Sequence, residues 1–172
     1  CAAITLGSAT TLIAGTNTIT LNGITTGVAN TFTLTADELE LNAAINGTGA
    51  ITLQPSTVAQ NIDIAGAGGT GALDLTAAEI ALIADGHSSI TIGNAAGTGA
   101  ITISAITFTD PVTIRSPAGA GSITVNGQIT GNGNASVTLD GPGATTTLNA
   151  DIVTAGNAIT ISDNVLIGVA AV

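Results

Sequence analysis

Apolar-polar-apolar triplets recur along this chain at a fixed step. ITL, IDI and LDL begin at residues 51, 62 and 73, and ITI, ITI, VTI and ITV begin at 90, 101, 112 and 123. Val137 and Ile159 open two more triplets two steps of eleven apart, and others start at Ile4, Ile19, Phe32 and Leu39. Side chains alternate faces along a strand, so each triplet sends two apolar residues to one face and a single Thr or acid to the other. Runs such as NGTGA, NAAGTGA and SPAGAGS separate the triplets and have turn composition. A period of this kind marks a repeat architecture.

Strands of three or four residues bury too little as hairpins. Stacking successive coils in parallel solves this, because each rung pairs its backbone with the next at ~4.8 Å and like residues form ladders. The expected fold is therefore all-β, a parallel β-helix (β-solenoid) forming a single domain over residues 1–172. With two elevens per coil, it holds roughly seven or eight coils in a stack on the order of 35 Å tall. Composition agrees: Phe, present twice, is the only aromatic, while 23 Gly and abundant Thr suit frequent turns between β-branched strands. Each enclosed Ile, Leu or Val contributes ~1.5–3 kcal/mol, so the core does not need Trp or Tyr.

Two near copies, LTADELEL at 34–41 and LTAAEIAL at 75–82, each contain a T-x-x-E capping box, Thr35 to Glu38 and Thr76 to Glu79. Either both are strands with acids outward, or the second makes a short helical excursion near 76–84 that Asp85-Gly86 ends. Both readings keep Leu75, Ile80 and Ile83 toward the core.

These segments, with ITLQPSTVAQNIDIAG, IADGHSSITIGNAAGTGAITI and NAITISDNVLIG, resemble the repeat region of filamentous-haemagglutinin-type large exoproteins of bacteria, over about residues 34–168. The resemblance implies a right-handed β-helix that is extracellular or on the bacterial cell surface and acts in adhesion, matrix or cell contact. Host or cell-surface glycans are the partners it implies. The chain is far shorter than that family and shows no N-P-N-G-type secretion signature near residue 1.

Other function classes find little support. Eleven acids against one Arg and no Lys give a net charge of -10, which opposes nucleic-acid binding. No apolar run approaches the ~20 residues of a membrane span. GAGGTG at 66–71 has dinucleotide-loop spacing but leads into the strand ALDL, not a helix, so it reads as a coil corner and no cofactor is expected. Asp85, His87 and Ser88 are adjacent in DGHS, yet adjacency is not triad geometry, and the segment reads as a surface turn. One His and one Cys cannot supply a zinc site. Asp63 with Asp74, and Asp140 with Asp151, repeat at eleven and could form acidic ladders, either solvated or weakly calcium-bridging. Outward Thr rows raise ice binding, but most strands carry only one outward Thr. The expectation is a non-enzymatic structural protein.

The ends supply the candidate site. CAAITL opens directly into a strand and NVLIGVAAV closes the sequence with apolar residues where a polar cap would be expected, since soluble solenoids normally cap their terminal coils. Head-to-tail self-association into a filament is expected through Cys1, Ile4 and Leu6 at one end and Val165, Leu166, Ile167 and Val172 at the other. The alternative is that neighbouring coils of a longer exoprotein continue the stack. A first-position Cys also raises the lipid-modified residue of a mature bacterial lipoprotein, the plainer reading being a piece of a longer protein.

Overall fold

The computed structural model describes residues 4–23, 25–27, 29–67, 71–119, 121–141 and 145–168. β1 (Ile4–Thr5) leads into the first coil, which carries β2 (Thr10–Leu21) and β3 (Thr25–Thr26), the latter one rung after β1, and the second carries β4 (Phe32–Leu41) and β5 (Ile45–Asn46). The third holds β6 (Ile51–Gln54), β7 (Asn61–Ile64), β8 (Ala72–Leu75) and the short helix α1 (Ala77–Ile80). Then follow β9 (Ile90–Ile92), β10 (Ile101–Ile103) and β11 (Ile106–Phe108), and β12 (Val112–Arg115), β13 (Ile123–Val125) and β14 (Ile129–Gly131). The sixth coil has β15 (Val137–Asp140), β16 (Thr145–Leu148) and β17 (Ile152–Thr154), and the seventh β18 (Ile159–Ile161) and β19 (Asn164–Ile167).

Every strand pairing is parallel, and strands stack by their place in the coil. The first side is a seven-stranded sheet in the order β2-β4-β6-β9-β12-β15-β18. The second is the six-stranded order β8-β7-β10-β13-β16-β19, and two three-stranded ladders, β1-β3-β5 and β11-β14-β17, complete the coils. The protein is a parallel β-solenoid of seven coils.

On the first side, register turns the triplets into columns. One inward column runs Phe32, Ile51, Ile90, Val112, Val137, Ile159, and the other Leu12, Leu34, Leu53, Ile92, Ile114, Leu139, Ile161. Their central members are fully buried. Between them the outward column is Thr at every rung: Thr11, Thr33, Thr52, Thr91, Thr113, Thr138, Thr160. Thr at the middle of a triplet is thus doubly suited, β-branched for the strand and polar for the solvent side.

The coil length from Ile90 to Val112 and from Val137 to Ile159 is 22 residues, two elevens, as the repeat predicts. The pair at 62 and 73 departs from this. Ile62 and Leu73 are direct register partners, as are Asp63 and Asp74, so here one eleven spans a whole rung. The chain turns back after β7 at Ala65, whose φ of 56° is left-handed, and Gly71 at φ 95° leads into β8. The Ala65 N–H then bonds the Leu75 carbonyl at 2.7 Å. Gly66 and Gly71 thus lie between two paired strands, and residues 68–70 of the motif lie outside the described residues.

The two near copies fold differently. Residues 34–41 belong to β4, which β2 accompanies along its whole length, and Thr35 accepts a hydrogen bond from the Gln54 side chain. In the second copy β7 ends opposite Leu75, so the backbone beyond has no flanking rung and closes its bonds within a turn of helix. Thr76 caps α1 and Glu79 completes the capping box. Ile80 and Ile83 enter the core, and Ile83 bridges Ile45 before the chain climbs to β9.

A substitution pair tests the columns. Ile92→Ala, at the centre of the stack, is expected to cost ~2–5 kcal/mol in urea denaturation. Its neighbour Thr91→Ala is expected to cost less than about 1 kcal/mol, since it loses only half-exposed surface contacts. Equal costs would contradict the assigned faces.

Candidate functional site

The assembly residues proposed from the sequence fall at opposite ends of the stack. Cys1 and Val172 lie outside the described residues. Ile4 is in β1 and 38 % exposed, whereas Leu6 is buried and its carbonyl accepts a hydrogen bond from the Asn30 side chain. Leu6 thus packs inside the first coil. Val165, Leu166 and Ile167 lie together in β19 at 46 %, 57 % and 58 % exposure.

The seventh coil leaves the core open. Ile159, which continues a column buried at every rung from Phe32 to Val137, is 44 % exposed. A hollow of about 430 Å³ enters there, lined by Leu148, Ile152, Ile159, Ile161 and Ile167 among others. Among the described residues β18 pairs only with β15 and β19 only with β16, which leaves one edge of each without a described partner. Such an edge is a template for further strands.

The first coil is built differently. β2 has register shifts between Ile13 and Gly15 and between Gly15 and Thr18, with Gly15 at φ 64°. The Asn17 side chain bonds the Ala14 carbonyl across this irregularity. Bulges twist an edge away from partners. The shifts divide that strand into two short regular runs, Thr10–Ile13 and Thr18–Leu21, whereas β18 and β19 carry no shift.

The near copies generate a second feature that the sequence analysis missed. Glu38 and Glu40 of β4 face Asp74 of β8 and Glu79 of α1 across an open groove of about 670 Å³. Glu79 bridges its walls, accepting from the Leu41 N–H at 2.9 Å with one oxygen and from the Thr76 N–H and hydroxyl with the other. Burial raises the Glu38 carboxyl above its ordinary value, against a lowering bond from the Leu39 N–H, and Asp74, Glu40 and Glu79 raise it further. Asp63 is raised by burial and then by Asp74, its partner one rung away. Asp63 and Asp74 do form an acidic ladder; Asp140 and Asp151 do not, because Asp140 pairs in register with Arg115 and Asp151 lies outside that sheet. Among the described residues no group of three or more His, Cys, Asp or Glu is arranged to hold a metal ion.

DGHS is a turn at the surface, as expected, except that one of its side chains points inward. Asp85 and Ser88 are exposed, but His87 is buried, with Nδ1 2.9 Å from the Gly49 carbonyl and Nε2 3.3 Å from that of Ile45. Both ring nitrogens meet main-chain oxygens, and neither meets Ser88, so no triad forms. The Thr column is a single row: its neighbouring outward column mixes Ile13, Thr35 and Gln54 and, further along, Arg115 and Asp140.

The chain matches no protein-family profile, no curated protein and no solved structure. The likeness to haemagglutinin-type repeats rests on the repeat motifs alone. Among the described residues no helix is long and apolar enough to cross a membrane.

The raised carboxyls set a pH dependence. A carboxyl whose folded value exceeds its unfolded value stabilises the fold at low pH, and that contribution is lost as pH rises through the folded value. Glu38 and Asp63 act in this sense, as does Asp110, which burial also raises. Thermal midpoints are expected to rise from about pH 7 to about pH 5, above the ordinary carboxyl values near ~4, and Glu38→Gln is expected to flatten the slope. A midpoint that falls over that interval would contradict the assignment.

Proposed function

We propose that this chain is a non-enzymatic structural protein, a β-solenoid building block of an extracellular fibre on a bacterial surface, serving adhesion or biofilm matrix. The observation that carries the reading is the seventh coil, whose strands have one edge without a described partner and whose apolar core columns reach solvent at Ile159, Val165 and Ile167, with Leu166 exposed on the outer face beside them. An apolar interior ended in this way is stabilised by one more rung of β-structure.

We assign the covering rung to a second copy, the alternative being neighbouring coils of a longer chain. The column that ends at Ile161 begins at Leu12, and the one that ends at Ile159 begins at Thr10, so an added copy continues both. Ile4, exposed at the first end, falls within this contact, whereas Leu6 is buried in the core. The contact is heterologous and does not close, which gives filaments. The poverty of basic and aromatic side chains favours a scaffold over an enzyme on polysaccharide, and extracellular placement follows the motif resemblance. The haemagglutinin-like reading of a passenger segment that binds glycans is the rival.

Negative-stain electron microscopy and sedimentation of the purified chain test the assembly. End-to-end rods whose length grows with concentration are expected, and Ile159→Lys with Ile167→Lys should leave monomers of unchanged circular dichroism. A wild-type chain that stays monomeric at high concentration would overturn the stacking role.

A further inference from the structure

His87 is the only histidine of the chain, and its place in the fold is unusual. It is 4 % exposed, on the turn that brings the chain from α1 up to β9. Nδ1 lies 2.9 Å from the Gly49 carbonyl oxygen and Nε2 3.3 Å from the Ile45 carbonyl oxygen. A carbonyl only accepts. Neutral imidazole carries one N–H, so one nitrogen would turn a lone pair toward an oxygen; imidazolium donates from both. Burial makes this difference costly, because an unmatched polar contact has no water to replace it.

The charged groups around the ring are few. Residues 42–50 of the second coil, which supply both carbonyls, contain no ionisable side chain. From the turn before β12 comes Asp110, fully buried; its Oδ1 accepts from the Gly86 N–H at 3.0 Å, and its Oδ2 has no partner. Asp85 lies exposed on the same turn as His87. Both neighbouring charges are negative and favour a cationic ring. Desolvation raises the Asp110 carboxyl, the Gly86 and His87 N–H groups lower it, Asp85 raises it and the His87 charge lowers it.

We propose that His87 is a protonation-dependent clasp, doubly protonated in the folded protein, that straps the inserted segment 76–89 to the second coil. The same strap includes the Ala84 N–H on the Ile45 carbonyl at 2.9 Å and the Ser88 N–H on the Thr48 carbonyl at 3.1 Å. Losing the ring proton replaces one ring hydrogen bond by a lone-pair contact and leaves the buried Asp110 charge without its neighbouring cation. The strap is therefore closed at acid pH and loosens as pH rises, at the one place where the ladder of coils is interrupted by a helix. Ile80 and Ile83, which the segment holds in the core, are the residues such loosening would release.

Nuclear magnetic resonance of the native chain reads the ring directly, because a single histidine gives unambiguous signals. At about pH 7, above the ~6.5 of a free imidazole, both ring nitrogens are expected to carry hydrogens and both N–H groups to be slow to exchange. A single neutral tautomer at that pH would overturn the proposal. His87→Gln supplies an independent readout. The wild-type advantage in thermal midpoint over the variant should be larger at about pH 5.5 than at about pH 8, values either side of the free imidazole. An advantage constant across that interval would equally overturn it.

Discussion

Register-perfect stacking of parallel rungs is the constraint on which this structure depends. Neighbouring strands lie ~4.8 Å apart, so each inward residue must tolerate its own kind directly above and below. Ile, Leu and Val do so because their rigid branched side chains interlock along a column. Large aromatics are correspondingly rare, and Phe32 and Phe108, the only two, sit at positions of the column and the short third-side ladder where they are enclosed. Polar intrusions follow the same rule. Thr146 replaces an aliphatic residue in the second-side column, fully buried, and its hydroxyl donates to Asp163. Asp163 also accepts from the Gly141 N–H, so one carboxylate of the seventh coil satisfies two groups of the sixth.

A stack built this way is limited at its ends, since every rung is stabilised by two neighbours except the outermost. The two ends of the described solenoid meet that limit unequally. β2 interrupts its edge with bulges and turns Ile13 outward, whereas β18 and β19 continue the regular register up to an apolar hollow. The irregular insertion is a third special place. It adds β8 beneath β7, closes a helical turn where flanking strands stop, and is tied back by backbone bonds and by His87. The acids that gather beside it are a consequence of bringing the second near copy over the first. Glu79 uses both of its oxygens in that packing, and Glu38 is left as the raised carboxyl.

The repeat made the architecture legible, because the same triplet that forms a strand also forms a column when strands stack. Spacing alone did not distinguish half a coil from a whole rung. Ile51 to Ile62 is the former and Ile62 to Leu73 the latter, and the left-handed backbone at Ala65 marks the difference. Likewise the capping box reads the same in both copies, while flanking rungs decide which becomes helix. Short third-side strands such as β11 and β14 lack the eleven-residue phase, although ITF and ITG share the pattern. Of the candidate site, Val165–Ile167 were visible as an apolar run. Leu6 in the core, the groove from Glu38 to Glu79 and the burial of His87 depend on contacts 24 or more residues apart, which no local pattern encodes.

The openness of the seventh coil is measured most directly by residue-resolved hydrogen exchange as a function of protein concentration. The account predicts slow exchange at Ile92 and Ile114 under all conditions, with rapid exchange at Ile159–Ile161 and Val165–Ile167 in dilute solution. Protection of those last strands should then rise with concentration as copies stack. Strong protection of residues 159–167 in dilute monomer, or exchange there that stays rapid at every concentration, would contradict it.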